Sequence, residues 1–100
     1  MAAVDAAELA PIRRLIALAR SDTGQARRAA NFLLAWWNAR HCGGFDLTEL
    51  WAVDKAVADD MLATAAFIAT HQEYPTEFGL GPDFQALVGL WRPQLLEPRQ

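Results

Sequence analysis

SDTGQARRAANFLLAWWNARHCGG, residues Ser21 to Gly44, contains two of the four tryptophans, the only cysteine and one of the two histidines. Ser21, Asp22 and Thr23 carry side-chain oxygens that accept hydrogen bonds from the free N–H groups of a first helical turn. Gly43 and Gly44 suit the left-handed backbone that closes a helix. A helix from about Gly24 to Arg40 would be roughly 25 Å long at 1.5 Å per residue. Advancing 100° per residue places Ala26, Ala29, Ala30, Leu33 and Trp37 on one face. Arg27, Asn31 and Asn38 fall nearly opposite, while Phe32 and Trp36 lie on the flank beside Arg28. One neighbouring helix cannot cover that much apolar surface, so several elements are expected to surround this one.

On its N-terminal side, Pro11 is tolerated in a first helical turn but not in an interior. The first firm helix is therefore expected from Pro11 to about Arg20, with Ile12, Leu15, Ile16 and Ala19 inward and residues 1–10 mobile. The short connection Ser21–Thr23 makes the first two helices neighbours, in a hairpin or at a helix-turn-helix angle. On the C-terminal side, Asp46 and Glu49 have the spacing of a capping box, which predicts a short helix over Leu47–Trp51. Asp54 then caps a longer helix reaching Thr70 or His71. Its apolar face is expected to be Val57, Ala58, Met61, Leu62, Ala65, Ile68 and Ala69, with Asp60, Phe67 and His71 at the edge. Tyr74-Pro75 ends that helix, because the residue before proline disfavours the helical region. Pro82 opens a last helix with Phe84, Leu87, Val88 and Trp91 as its stripe, Pro93 closes it, and residues 94–100 are expected to be mobile. The fold expectation is one all-α domain over residues 1–100, a compact bundle of four main helices with one short extra helix.

Composition points the same way. A chain of 100 residues that is 53% hydrophobic and 21% charged can bury a core and is not disordered. Twenty alanines and a single tyrosine favour helix over strand. Apolar runs are short and broken by charge, so no segment is expected to span a membrane. The opening MAAVDAAELAP contains Asp5 and Glu8 and no basic flank, unlike a signal peptide. One cysteine leaves no internal disulfide and fits a cytoplasmic location. The net charge of −3 is unevenly spread: residues 1–40 hold six arginines against Asp5, Glu8 and Asp22, whereas residues 41–100 hold nine acids against Lys55, Arg92 and Arg99.

Chemistry-bearing constellations are sparse. His41, Cys42 and His71 are the only soft metal ligands, and two adjacent residues plus a distant one lack the paired spacing of a zinc site. No metal or other cofactor is expected. Asp59 and Asp60 are adjacent on a helix and point 100° apart, so they do not form a catalytic pair; Asp60 is better placed to pair with an N-terminal arginine. Cys42 has no oxyanion loop or orienting group beside it, and GGFD and GLGP lack the strand, helix and lysine of a phosphate loop. The chain reads as non-enzymatic.

From Ile12 to Pro93 the chain resembles a family of small helical proteins of unknown function carried on bacterial mobile genetic elements. The resemblance lies in RSDTGQARRAANFLLAWWNARHCGGFDLTELWAVDKAVADDM (Arg20–Met61) and YPTEFGLGPDFQALVGLWRP (Tyr74–Pro93). It implies a bacterial, cytoplasmic protein, in a setting where small proteins often inhibit host defence machinery, anti-CRISPR proteins among them. It assigns no residue a role.

Four tryptophans and five phenylalanines are many for so small a bundle to enclose. The leading expectation is a protein-binding module that docks on a larger bacterial protein or complex, as an inhibitor of host defence. Arg28, Phe32 and Trp36 would supply contact area. The acidic set Asp46, Glu49, Asp54, Asp59 and Asp60 would meet a basic channel. The second reading is a DNA-binding accessory or regulatory protein using Arg13, Arg14, Arg20, Gln25, Arg27 and Arg28 around the first interhelical turn. A monomer and a homodimer burying the surplus rings are both compatible with the sequence.

Overall fold

A computed structural model describes residues 4–96. Four α-helices, α1 (Ala6–Ala19), α2 (Ala26–Cys42), α3 (Lys55–His71) and α4 (Gly81–Trp91), alternate with 3-10 segments at Leu47–Ala52, Pro75–Phe78 and Pro93–Leu96. No strand occurs among the described residues, so the all-α bundle stands. Helix α1 packs broadly on both α2 and α3, and α4 lies on α2. Helices α2 and α3 meet over a small patch only. The core is Ile12, Leu15 and Ala19 of α1, Ala29, Ala30, Leu33 and Leu34 of α2, Met61 and Phe67 of α3, and Leu80, Phe84, Leu87 and Val88 around α4.

Several boundaries depart from the sequence expectation. Helix α1 begins at Ala6, five residues before Pro11, because the Asp5 carboxylate caps it by accepting from the Glu8 N–H at 2.9 Å. Leu9 is buried there, and Pro11 is accommodated inside the helix past its first turn, with the loss of one intrahelical hydrogen bond. Residues 1–3 and 97–100, expected to be mobile, lie outside the described residues, and Pro93–Leu96 forms a turn. Ser21, Asp22 and Thr23 do not cap α2, which starts at Ala26 behind Gln25. The Ser21 hydroxyl instead donates to the Leu18 carbonyl at 2.6 Å and closes α1.

At its far end α2 runs to Cys42 across a break at Asn38, whose side-chain oxygen accepts from the His41 N–H at 3.2 Å. Gly43, at φ +98°, ends it, where any side chain would be strained. The expected capping box at Asp46 is only half made. Asp46 accepts from the Thr48 N–H at 2.9 Å and from its hydroxyl at 2.7 Å, while Glu49 turns to Arg28.

The largest correction concerns α3. Met61, Thr64 and Phe67 point into the core, whereas Leu62, Ala65 and Ala69 are exposed. The helix is rolled so that its expected edge becomes its inner face. Two polar contacts with α1 lie on the same face and accompany the roll. Arg14 donates two hydrogen bonds to Asp60, from Nε at 3.0 Å and from Nη2 at 2.8 Å. His71 Nε2 lies 3.2 Å from Glu8 Oε2. Asp60 and His71 both lie against α1, and Phe67, on the same helix face, is buried.

The end of α4 is fastened to the earlier helices by side chains. Trp91 Nε1–H donates to the Ala19 carbonyl at 2.8 Å. Arg92 donates to the Cys42 carbonyl at 2.9 Å and to Asn31 Oδ1 at 2.8 Å.

Candidate interaction surface

The rolled α3 and its small contact with α2 leave an open groove between the two helices, of about 600 Å³. Phe32, Ala35 and Trp36 of α2 form one wall, and Ala65 and Ile68 of α3 form the other. Phe45 and Leu47 close one end, and Gln72, Glu73 and Tyr74 the other. The rings are held in place from behind. Phe32 meets Phe45 edge to face, with centroids 5.2 Å apart. Trp36 packs edge-on against Phe84 at 5.6 Å, and its Nε1–H donates to the Glu73 carbonyl at 3.0 Å.

The chain exposes large apolar side chains at this groove and also elsewhere, Leu90, Leu95 and Leu96 at the α4 end among them. Leu47 is 73% exposed, Trp51 84%, Leu62 58% and Tyr74 65%. Leu47 and Tyr74 line the groove, Leu62 shares the outer face of α3 with Ala65, and Trp51 shares the 3-10 segment with Leu47. Trp51 and Leu62 were not singled out from sequence. Trp51 escapes the core because a 3-10 segment turns every three residues. That period sets Trp51 over exposed Thr48 and off the row of half-buried Leu50 and Val53. A capped segment too short for α-helix was the one available signal.

Of the residues expected to contact a partner, Phe32 and Trp36 are half-buried in the groove wall. Arg28 is partly buried beside them, its Nε 3.7 Å from Glu49 Oε1. The acidic residues do not form one free patch. Asp60 is bound to Arg14, and Asp59 to Lys55 at 2.8 Å. Asp54 and Gln25 bond reciprocally, the Gln25 amide donating to the carboxylate at 2.9 Å and the Asp54 N–H to Gln25 Oε1 at 2.7 Å. Asp46 meets no cation among the described residues, and the Thr48 hydrogen bonds hold its carboxyl below the usual carboxylate value.

The basic set is largely spent as well. Arg14, Arg28 and Gln25 have the partners just named, and Arg20 lies 3.8 Å from Asp83. Within this set Arg13 and Arg27 are exposed without an ion pair among the described residues, as is Arg40 outside it.

Cys42 is buried, and burial pushes its thiol up, away from the reactive thiolate, with Arg92 opposing. Among the described residues no group of three or more His, Cys, Asp or Glu side chains is placed to hold a metal ion. No helix of the described residues is long and apolar enough to cross a membrane.

No curated protein and no solved structure matches the chain. A family model does match, over residues 9–92, which takes in most of α1, the other three helices and the groove. The chain therefore belongs to the family of unknown function DUF7673.

Proposed function

We propose that this chain is a non-enzymatic protein-binding module whose contact surface is the groove between α2 and α3. One observation carries the reading: Leu47 and Tyr74, large apolar side chains left exposed, line a single preformed groove together with the half-buried rings Phe32 and Trp36. Scattered apolar residues are ordinary on protein surfaces, but a cluster around a concavity marks an interaction site. The half-buried rings Phe32 and Trp36 would anchor the contact, with Arg28 and Glu49 at its margin. Against catalysis stand the buried, proton-retaining Cys42 thiol and carboxylates already engaged by Arg14, Lys55 and Gln25.

In its fuller form the proposal is a cytoplasmic protein from a bacterial mobile element that inhibits host defence by docking on a larger complex. That setting rests on the resemblance of Arg20–Met61 and Tyr74–Pro93 alone.

Affinity capture from the native host with wild-type and Leu47→Lys bait, followed by mass spectrometry, tests the reading. A protein captured by wild type and lost with Leu47→Lys supports it, and identical captures overturn the surface assignment. The nucleic-acid reading is weakened by the engaged arginines. On it, retention on heparin or random duplex would be strong and steeply salt-dependent; on the reading proposed here it is weak at both low and moderate salt.

A further inference from the structure

We infer that the occupant of the α2–α3 groove is an amphipathic helix of a partner protein, apolar on one face and flanked by Lys or Arg. The inference rests on the protein-binding reading and adds the chemistry of what binds. Two features of the groove carry it.

The first is the state of its backbone. Both long walls are α-helices whose N–H and C=O groups are paired internally, and the Glu73 carbonyl at the end accepts from Trp36. An extended peptide would find no row of main-chain partners here and would leave its own groups unpaired in an apolar trough. A helix arrives with its backbone already paired. At about 600 Å³, the groove takes a few apolar side chains from one helical face.

The second is charge. The lining contains one carboxylate, Glu73, and no cation. Asp46, between the lining residues Phe45 and Leu47, is held ionised by Thr48 and meets no cation among the described residues. The nearby Arg28 is already set against Glu49. Acidic ends on an apolar trough complement cationic flanks. A second copy laid groove to groove would bring Asp46 and Glu73 against the same charges. The chain's own segment Pro93–Leu96 sits elsewhere, with Leu95 and Leu96 beside Trp37, Cys42 and Val88.

The test uses the full chain, labelled with nitrogen-15, and three synthetic probes. One is a stapled helical peptide of about 15 residues, with leucines on one face and lysines at its flanks. The second replaces the lysines by glutamates, and the third interrupts the helix with prolines. The lysine probe is expected to shift the Phe32, Ala35, Trp36 and Ile68 amide signals and the Trp36 indole signal. It is expected to bind about tenfold more tightly than either alternative and to weaken with salt. Glu73→Lys, at an exposed site, should cost the lysine probe several-fold in affinity while leaving the spectrum folded.

Equal or better binding of the glutamate probe overturns the inference and leaves the protein-binding reading standing. Shifts confined to another face, or preferential binding of the proline probe, also overturn it. If no probe binds and sedimentation shows a dimer with the groove closed, the inference and the free-surface reading fall together.

Discussion

Trp36 and Trp37 are neighbours in sequence and sit in two differently built regions. On the Trp37 side, α4 closes over α2. Trp37 stacks on Phe84 with centroids 5.6 Å apart, and Arg92 ties the end of α4 to Cys42 and Asn31. On the Trp36 side, α3 faces α2 across an open groove whose lining leaves Leu47 and Tyr74 in solvent. At the α4 end Leu90, Leu95 and Leu96 are exposed as well, with Leu95 and Leu96 in a smaller hollow beside Trp37, Cys42 and Val88. The first region is fitted by volume. In the second, the Arg14–Asp60 and Glu8–His71 contacts and the buried Met61 and Phe67 share one face of α3, and its other apolar face stays outside. The comparison teaches that a helix can keep its polar contacts and its core residues on one face and leave an apolar face outside the core, where it is free to bind.

The contrast can be broken or sharpened by substitution. The largest effect is expected on the closed side: Phe84→Ala should destabilise the fold by about 3–5 kcal/mol in urea denaturation, because Phe84 is fully buried among Trp36 and Trp37. Arg92→Ala removes a cation that holds two oxygens of α2 and should cost about 2 kcal/mol.

Thr64 marks a flaw where α3 meets the core: it is fully buried, and its hydroxyl finds no hydrogen-bond partner among the described residues. Thr64→Val, similar in shape, should stabilise the protein by about 1 kcal/mol, read as a higher urea midpoint. On the open side, Leu62→Ser should change stability by less than about 0.5 kcal/mol. A loss as large as that of Phe84→Ala would show that Leu62 is buried and that α3 is not rolled.

The smallest effect concerns Asp46, whose folded-state carboxyl is lowered by Thr48. A depressed acid contributes stability that is complete above its unfolded value, near pH 4, and is lost as pH falls through the folded value. Wild type should therefore lose slightly more stability than Asp46→Ala between pH 5 and 3, as followed by urea midpoints at each pH.

Much of the bundle was legible in the residues. Pro75, Pro82 and Pro93 mark helix limits by removing donors, and the stripe Phe84–Leu87–Val88 follows the helical period into the core. Asp60 was expected to find an N-terminal arginine, and Arg14 is that residue. The roll of α3 was not legible, because Leu62, Ala65 and Ala69 make as apolar a stripe as Met61, Thr64 and Phe67, and which of the two faces inward depends on α1, another helix. The start of α1 was misread for a related reason: a cap at Asp5 and burial of Leu9 outweigh one proline. Trp51 was hidden by the change from the α-helical to the 3-10 period. The groove depends on α2, α3 and the segments at Phe45–Leu47 and Gln72–Tyr74 at once, so periodicity in any single helix could not reveal it.

The most direct test of the central claim, that the α2–α3 side binds without being needed to fold, is a paired measurement on Leu47→Lys/Tyr74→Ala. Both side chains line the groove and are mostly exposed. The urea midpoint should stay at the wild-type value while the partner captured by wild type is lost. Retained capture, or loss of the folded state together with capture, would contradict it.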